Sequence, residues 1–214
     1  MKHYTILYIH GMGGGTDSRI PSFLNGHIGE FVPEEVHINV IVRTYDIDPD
    51  LAFPEISKWF AELEPDLVIG ESLGSLHALR LHGVPHLFVS PAIGAAGWMS
   101  AVSRIPGAAW VMRRLYQPYS PERQTLDFTQ KILSHYAGIR EEALSHSPLK
   151  GGNDYFFAFF GTADHYRRFG VVSVRRWRKY FGRDSYKIYK GTHFMENEYL
   201  YTMLIPKILE VLGL

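Results

Sequence analysis

Short apolar runs alternate with longer amphipathic segments along this chain. The apolar runs predict six β-strands, at 3–9, 37–44, 66–70, 86–90, 155–160 and 185–190. The amphipathic segments predict helices at 19–31, 52–63, 73–82, 166–181 and 194–212. Alternation of strand and helix is typical of a mostly parallel sheet with helices on both faces, so the sequence predicts an α/β protein.

One long segment interrupts this alternation. Residues 92–154 lie between the fourth and fifth predicted strands, with helical patterning around 97–116 and 122–145. A segment inserted between two strands is well placed to fold over the edge of the sheet as a helical lid. We therefore predict a single domain over residues 1–214 with a lid insertion at 92–154.

A serine lies where the third predicted strand passes into a helix, in the sequence Gly70-Glu71-Ser72-Leu73-Gly74. A serine on such a sharp turn is exposed, and the Leu73 N–H lies at a helix N-terminus, where negative charge is favoured. Side chains at 70 and 74 would collide where the strand turns back against its own helix, which explains both glycines. The alternative interpretation is a serine that only caps its helix.

A glycine-rich loop, His10-Gly11-Met12-Gly13-Gly14-Gly15, follows the first predicted strand. A nucleophilic serine requires backbone N–H donors for the oxygen that becomes negative during acyl transfer. Phosphate binding is the alternative use of such a loop, but the glycine spacing matches neither common phosphate-binding motif. We predict Met12 N–H and Leu73 N–H as the two donors, with His10 and Gly11 supporting the loop.

Asp164 and His193 each lie just after a predicted strand, at the edge where active sites of open α/β sheets form. A serine nucleophile requires a general base, and the base requires an orienting carboxylate. Ser72, Asp164 and His193 are therefore a candidate triad, in the chain order of α/β-hydrolases. Other candidates remain, namely His165 and His146 for the base, and Asp46, Asp48 and Glu71 for the carboxylate.

With these motifs the sequence resembles the α/β-hydrolase superfamily and, more loosely, the small YqiA-like esterases. The motifs are Ile9-His10-Gly11, Gly70-Glu71-Ser72-Leu73-Gly74, Gly161-Thr162-Ala163-Asp164 and Gly191-Thr192-His193. The resemblance implies a compact α/β-hydrolase fold with Ser72 as nucleophile, His193 as base and acid, and Asp164 as orienter. It also implies an oxyanion hole at Met12 and Leu73. The insertion is longer than expected for the most compact members.

Composition narrows the class of protein. The chain has 214 residues, a formal net charge of zero and no cysteine. Disulfides and thiol catalysis are therefore excluded, and a reducing compartment fits, so we predict a cytoplasmic location. No apolar run approaches the ~20 residues of a membrane-spanning helix. The spacing of histidines and acidic residues matches no metal motif, so we expect neither metal nor cofactor.

A locally basic segment spans residues 167–183. Apolar residues recur in it at helical spacing, so we interpret the arginines and lysines as the solvated face of a helix. A patch for nucleic acid or anionic lipid is the alternative. Because the whole chain is neutral, we expect no nucleic-acid partner.

We expect a serine hydrolase that cleaves small carboxylic esters or thioesters through an acyl-enzyme intermediate. Trp98, Trp110 and Met112 of the insertion are candidates for lining an apolar acyl pocket, and packing of the insertion onto the body is the alternative. An amidase or peptidase of the same fold remains open, and so does a non-catalytic binding module on a hydrolase scaffold. The sequence does not specify the oligomeric state.

Overall fold

The computed structural model describes residues 1–118 and 120–214, and its centre is one sheet of six strands. The strands are β1 Lys2–Ile9, β2 Val36–Val42, β3 Leu67–Glu71, β4 His86–Val89, β5 Phe156–Gly161 and β6 Tyr186–Tyr189. Their order is β2-β1-β3-β4-β5-β6, and every neighbouring pair is parallel. The six predicted strands and the predicted α/β class are confirmed.

Helices surround this sheet. They are α1 Arg19–His27, α2 Pro49–Leu63, α3 Ser75–Ala78, α4 Ala95–Val102, α5 Ala108–Leu115, α6 Gln130–Ala143, α7 Val174–Phe181, α8 Asn197–Tyr199 and α9 Ile205–Leu212. Short 3-10 turns occupy Ile28–Phe31, Ser72–Gly74, Pro148–Lys150 and His165–Phe169. The helices α4, α5 and α6 all belong to the predicted insertion, in which Tyr119 lies outside the described residues.

Side chains alternate along each strand, and this alternation divides the core into two layers. Leu7 and Val68 point to the layer shared with α2 to α7, whereas Ile6 and Ile69 point to the layer shared with α1 and α9. Every residue of β5 is buried, as expected for a strand covered on both faces. The sheet is therefore enclosed by helices on both sides, and its strand ends remain available for a site.

Two predicted helices are shorter than expected. The helix expected over 73–82 is reduced to α3, because Arg80 N–H and Leu81 N–H bond three residues back, to His77 and Ala78. The helix expected over 166–181 begins only at Val174, after the 3-10 turn and a loop. In both places hydrogen bonds that span three residues replace those of a regular α-helix.

The C-terminal helix also begins later than predicted. It starts at α8, passes through a π-helical turn at Leu200–Leu204 and continues as α9. Glu196 Oε1 accepts the Thr192 N–H at 2.9 Å, which keeps residues 192–196 as a loop. Pro206 has no N–H to donate, so the regular helical ladder is interrupted just before α9. This loop carries His193.

In the described part of the chain, none of the helices is both long and apolar enough to cross a membrane.

Candidate active site

Three side chains predicted from separate parts of the sequence meet at the carboxyl edge of the sheet. Ser72 follows β3, Asp164 follows β5, and His193 follows β6. The Ser72 Oγ lies 2.9 Å from His193 Nε2, and His193 Nδ1 lies 2.7 Å from Asp164 Oδ2. Asp164 and His193 are buried, while Ser72 is half-buried at the surface of a cavity.

Hydrogen-bonding capacity fixes the direction of this chain of contacts. An ionised carboxylate can only accept hydrogen bonds. His193 Nδ1 therefore carries the hydrogen and donates a hydrogen bond to Asp164. His193 Nε2 then presents a lone pair toward the Ser72 hydroxyl. The other carboxylate oxygen, Asp164 Oδ1, accepts the Tyr166 N–H at 2.9 Å, so both oxygens of Asp164 are held.

The turn at Ser72 has an unusual backbone. Ser72 has a φ of 47°, a left-handed conformation that costs a non-glycine residue about 1–2 kcal/mol. A Cβ at Gly70 would lie 2.8 Å from Ala78 Cβ in the following helix, which agrees with the predicted collision. A Cβ at Gly74, however, would lie 2.3 Å from the His10 carbonyl oxygen, so the obstacle there is the end of β1. The reason predicted for Gly74 is therefore wrong: it lets the turn approach the glycine-rich loop.

That loop (residues 10–15) lies directly beside the Ser72 hydroxyl. A Cβ at Gly11 would be 3.0 Å from Ser72 Cβ and 3.7 Å from its Oγ. Met12 and Leu73 both line the cavity next to Ser72. Among the described residues, neither Met12 N–H nor Leu73 N–H has a hydrogen-bond acceptor. Two free amides beside one hydroxyl form an arrangement that can receive a negatively charged oxygen.

His10 is the first residue of this loop. Its ring is buried and stacks on Tyr45 at 4.4 Å between centroids, and Tyr45 Oη donates to the His10 carbonyl at 2.6 Å. Burial lowers the pKa of His10 to about 4, so its ring is neutral. Its Nδ1 lies 2.7 Å from the Gly11 carbonyl, to which it can donate. That His10 supports the loop stays a prediction.

The other candidates for the base and the acid form different contacts. Glu71 is one of the residues that line the cavity, and its Oε2 accepts from Tyr8 Oη at 2.7 Å. The His165 ring is 6.1 Å from the His193 ring, and among the described residues it forms no hydrogen bond with Ser72, whose hydroxyl pairs with His193. The His146 ring packs against the ring of His82, 3.9 Å away.

The cavity above Ser72 has a volume of about 550 Å³. Its walls include apolar side chains from α4 and α5, and here the sequence prediction is only partly right. Trp98 and Met112 line the cavity, whereas Trp110 does not and is 67% exposed. Two positions along an α-helix are about 200° apart around its axis, so Trp110 faces solvent when Met112 faces the cavity. The prediction that Trp110 lines the pocket is therefore wrong.

Two further residues at the site were not found from the sequence, and one of them, Arg19, lines the cavity. Arg19, at the start of α1, donates to the Met195 carbonyl at 2.6 Å and also contacts the Phe194 carbonyl. Gln124, between α5 and α6, bonds to the glycine-rich loop through its side chain. Both contacts join residues more than 100 positions apart, and local patterns carry no signal for such pairs.

One group of side chains in the described ranges has metal-ligating geometry, although none was expected. Ligand atoms of Asp48, Asp50 and His135 lie within 4.8 Å of one another. Ordinary contacts account for this grouping, because Asp48 caps α2 by accepting the Asp50 N–H, and Asp50 lies 2.6 Å from His135 Nδ1. None of the three lines the cavity at Ser72.

The parallel sheet, its enclosing helices and the strand-end position of the site define an α/β-hydrolase fold. Solved structures with this fold resemble the chain over nearly its full length. A hydrolase from Pseudomonas aeruginosa PA01 has 15% identity and a TM-score of 0.54, over 99% of this chain and 91% of that one. An extracellular α/β-hydrolase from a Paenibacillus species has 10% identity and a TM-score of 0.56, over 97% and 98%.

A third similar structure is the bottromycin epimerase BotH in complex with bottromycin A2. It has 9% identity and a TM-score of 0.52, over 98% of this chain and 90% of that one. No family model and no curated protein matches the sequence. Because structures with different activities share this architecture, the fold alone does not determine the reaction.

Proposed function

We propose that the protein is a serine hydrolase that cleaves carboxylic esters or thioesters through an acyl-enzyme intermediate. The observation that carries the proposal is the continuous contact from Asp164 through His193 to the Ser72 hydroxyl. A hydroxyl is a weak nucleophile unless an adjacent base removes its proton, and this arrangement supplies a base that is itself oriented.

In the proposed mechanism, Ser72 Oγ attacks the substrate carbonyl carbon while its proton passes to His193 Nε2. The Met12 and Leu73 amides stabilise the oxygen that becomes negative. His193 then protonates the leaving alcohol or thiol as the bond to it breaks. Water attacks the acyl-enzyme with His193 again as the base, which releases the carboxylic acid and restores Ser72. Asp164 stays ionised and stabilises the imidazolium.

We further propose that residues 92–154 act as a lid that forms the acyl pocket. Ala95, Trp98, Met99 and Met112 of this segment line the cavity above Ser72. Pockets lined mainly by apolar groups favour apolar acyl chains. The resemblance to small YqiA-like esterases belongs to this proposal, and the cytoplasmic location stays a prediction.

The experiment combines covalent labelling with a panel of substrates. Wild-type protein should react with a fluorophosphonate probe and hydrolyse p-nitrophenyl esters. Ser72→Ala should abolish labelling and lower ester turnover by at least about 1000-fold while the protein stays folded. Ser75→Ala is the matched control, because Ser75 lies in the same turn with its hydroxyl directed to the Gly70 carbonyl.

The outcomes separate the alternatives. Labelling that persists in Ser72→Ala contradicts the role of Ser72. Turnover of amide or peptide substrates instead of esters and thioesters points to an amidase or peptidase. Wild-type protein that neither reacts with the probe nor hydrolyses any substrate of the panel points to a binding module.

A further inference from the structure

A side chain from the insertion holds the glycine-rich loop in place. Gln124 is 1% exposed and lies 111 residues from the loop in the sequence. Its Oε1 accepts the Gly13 N–H at 3.0 Å, and its Nε2 donates to the Tyr45 carbonyl at 3.2 Å. One buried amide group therefore connects the loop to the segment that follows β2.

The backbone on either side of Gln124 runs along the same loop. Gln124 N–H donates to the Gly14 carbonyl at 2.7 Å, and Gly15 forms an antiparallel bridge with Arg123. A Cβ at Gly15 would lie 2.2 Å from the Glu122 carbonyl oxygen, so the two segments are in direct contact. The position of the loop thus depends on residues 122–124 as well as on β1.

The contact with Gly13 has a consequence for the neighbouring amide. Gly13 N–H and the Met12 carbonyl belong to one peptide plane, so an acceptor for that N–H fixes the ψ angle of Met12. Glycine at 13 has a φ of 72° and offers little resistance of its own to rotation of this plane. The Met12 N–H belongs to the preceding peptide plane, so without the acceptor it is displaced only as the loop segment that carries it shifts away from Ser72.

We propose that Gln124 is a positioning residue for the oxyanion hole. Its contacts with Gly13 and Gly14 hold the loop segment that carries the Met12 N–H beside Ser72, so that this N–H remains available to the developing negative charge. This inference rests on the proposed function. It also links the insertion to the reaction, since the same segment that covers the cavity orients a donor for the transition state.

The test uses three substitutions at one site. Gln124→Met keeps the length of the side chain but removes both polar atoms, and Gln124→Asn keeps the amide but is too short to reach Gly13. Each should lower kcat for p-nitrophenyl butyrate about 10-fold with KM within about 2-fold, less than the 100- to 1000-fold loss of a whole donor. Gln124→Glu retains the acceptor and should keep kcat within about 3-fold of wild type.

A tetrahedral inhibitor separates positioning from general stability. Phenylboronic acid forms a negatively charged adduct with an active serine, so its affinity should fall about 10-fold in Gln124→Met and Gln124→Asn. Asn25→Leu is the matched control, because the Asn25 side chain also bonds two backbone groups, the N–H and the carbonyl of Val40, each at 2.8 Å. It should lose stability but keep kcat and boronate affinity.

Several results would overturn the inference. Normal kcat and boronate affinity in Gln124→Asn would do so even when Gln124→Met does not fold. A loss of kcat without loss of boronate affinity, or an equal loss in Asn25→Leu, would reduce Gln124 to a structural residue. An inactive wild-type protein would overturn the proposed function and this inference together, whereas an active wild type with active variants would overturn only the inference.

Discussion

The carboxyl edge of the sheet and the outward faces of α5 and α6 in the inserted segment 92–154 leave different amounts of room for added atoms. At the edge, a Cβ at Gly74 would lie 2.3 Å from a backbone oxygen. In the insertion, the space around Gly138 is open to 4 Å among the described atoms, and Trp110 and Leu115 are 67% and 70% exposed. The edge leaves no room for an added methyl group at Gly74, whereas these outward positions on α5 and α6 do leave room. Under the proposed function, the reaction depends on the carboxyl edge and substrate preference on the insertion.

The largest expected effect comes from histidines buried with the sheet. Burial lowers the pKa of His10 and His86 to about 4 and that of His77 to about 3. Below pH 6.5 these histidines bind protons in the unfolded chain, whereas in the folded protein their buried rings stay neutral. The free energy of unfolding therefore decreases as the pH falls from 6.5 toward the pKa of each folded ring. At pH 5 each ring accounts for about 2 kcal/mol of lost stability. Urea unfolding at pH 7.5 and pH 5.0 measures the total.

A pair of variants tests whether this pH dependence comes from the buried histidines and not from the insertion. His77→Phe should reduce the loss of stability between pH 7.5 and 5.0 by about 2 kcal/mol, because one titrating ring is gone. Trp110→Phe, in the insertion, should leave that loss unchanged because it replaces an exposed side chain and removes no titrating group. Equal behaviour of the two variants would contradict the assignment to buried rings.

The next effect concerns two glycines, one from each region. Gly74→Ala brings its Cβ against the His10 and Ile9 carbonyls, which are backbone atoms that cannot turn aside. The turn must then move away from the glycine-rich loop, so kcat should fall at least about 100-fold and stability by about 1–3 kcal/mol. Gly138→Ala lies in the open middle of α6 and should gain roughly 0.5–1 kcal/mol with unchanged kcat. Ester kinetics measure kcat and urea unfolding measures the stability of the two variants. A Gly74→Ala variant with normal kcat would show that the tight contact at Gly74 is not needed for activity.

The smallest expected effect sharpens the description of the insertion itself. Met112→Ala shortens an apolar side chain of the cavity wall and so enlarges the cavity. The ratio of kcat/KM for octanoate to butyrate esters should therefore rise by up to about 10-fold. Trp110→Ala changes only an exposed side chain and should leave the chain-length series unchanged. The same shift in both variants, or in neither, would count against the acyl pocket.

Sequence patterns predicted one of these regions much better than the other. The strands, and the positions of Ser72, Asp164 and His193 after their strands, follow from local signals such as apolar runs that end in glycine. Parallel strands bring their carboxyl ends to one edge, so local signals sufficed to place three distant side chains together. No comparable rule places the helices of the insertion. The orientation of Trp110 could not be predicted because the sequence does not show which face of α5 lies against the cavity.

Long-range contacts set the limit on what could be predicted. The reason for Gly74 lies on another strand, the acceptor for Gly13 lies 111 residues away, and the grouping of Asp50 with His135 joins two helices. Each depends on how elements pack, and no pattern within a short window encodes it.

The sequence by itself determined which segments form strands, that the sheet is parallel, and which side chains meet at its edge, because periodicity and chain order fix these. The tertiary structure decided which amides lie beside Ser72, where the insertion contacts the glycine-rich loop, and which of its side chains face the cavity. The physical reason is that an apolar pattern specifies which face of an element is buried, whereas only close packing specifies what that face touches.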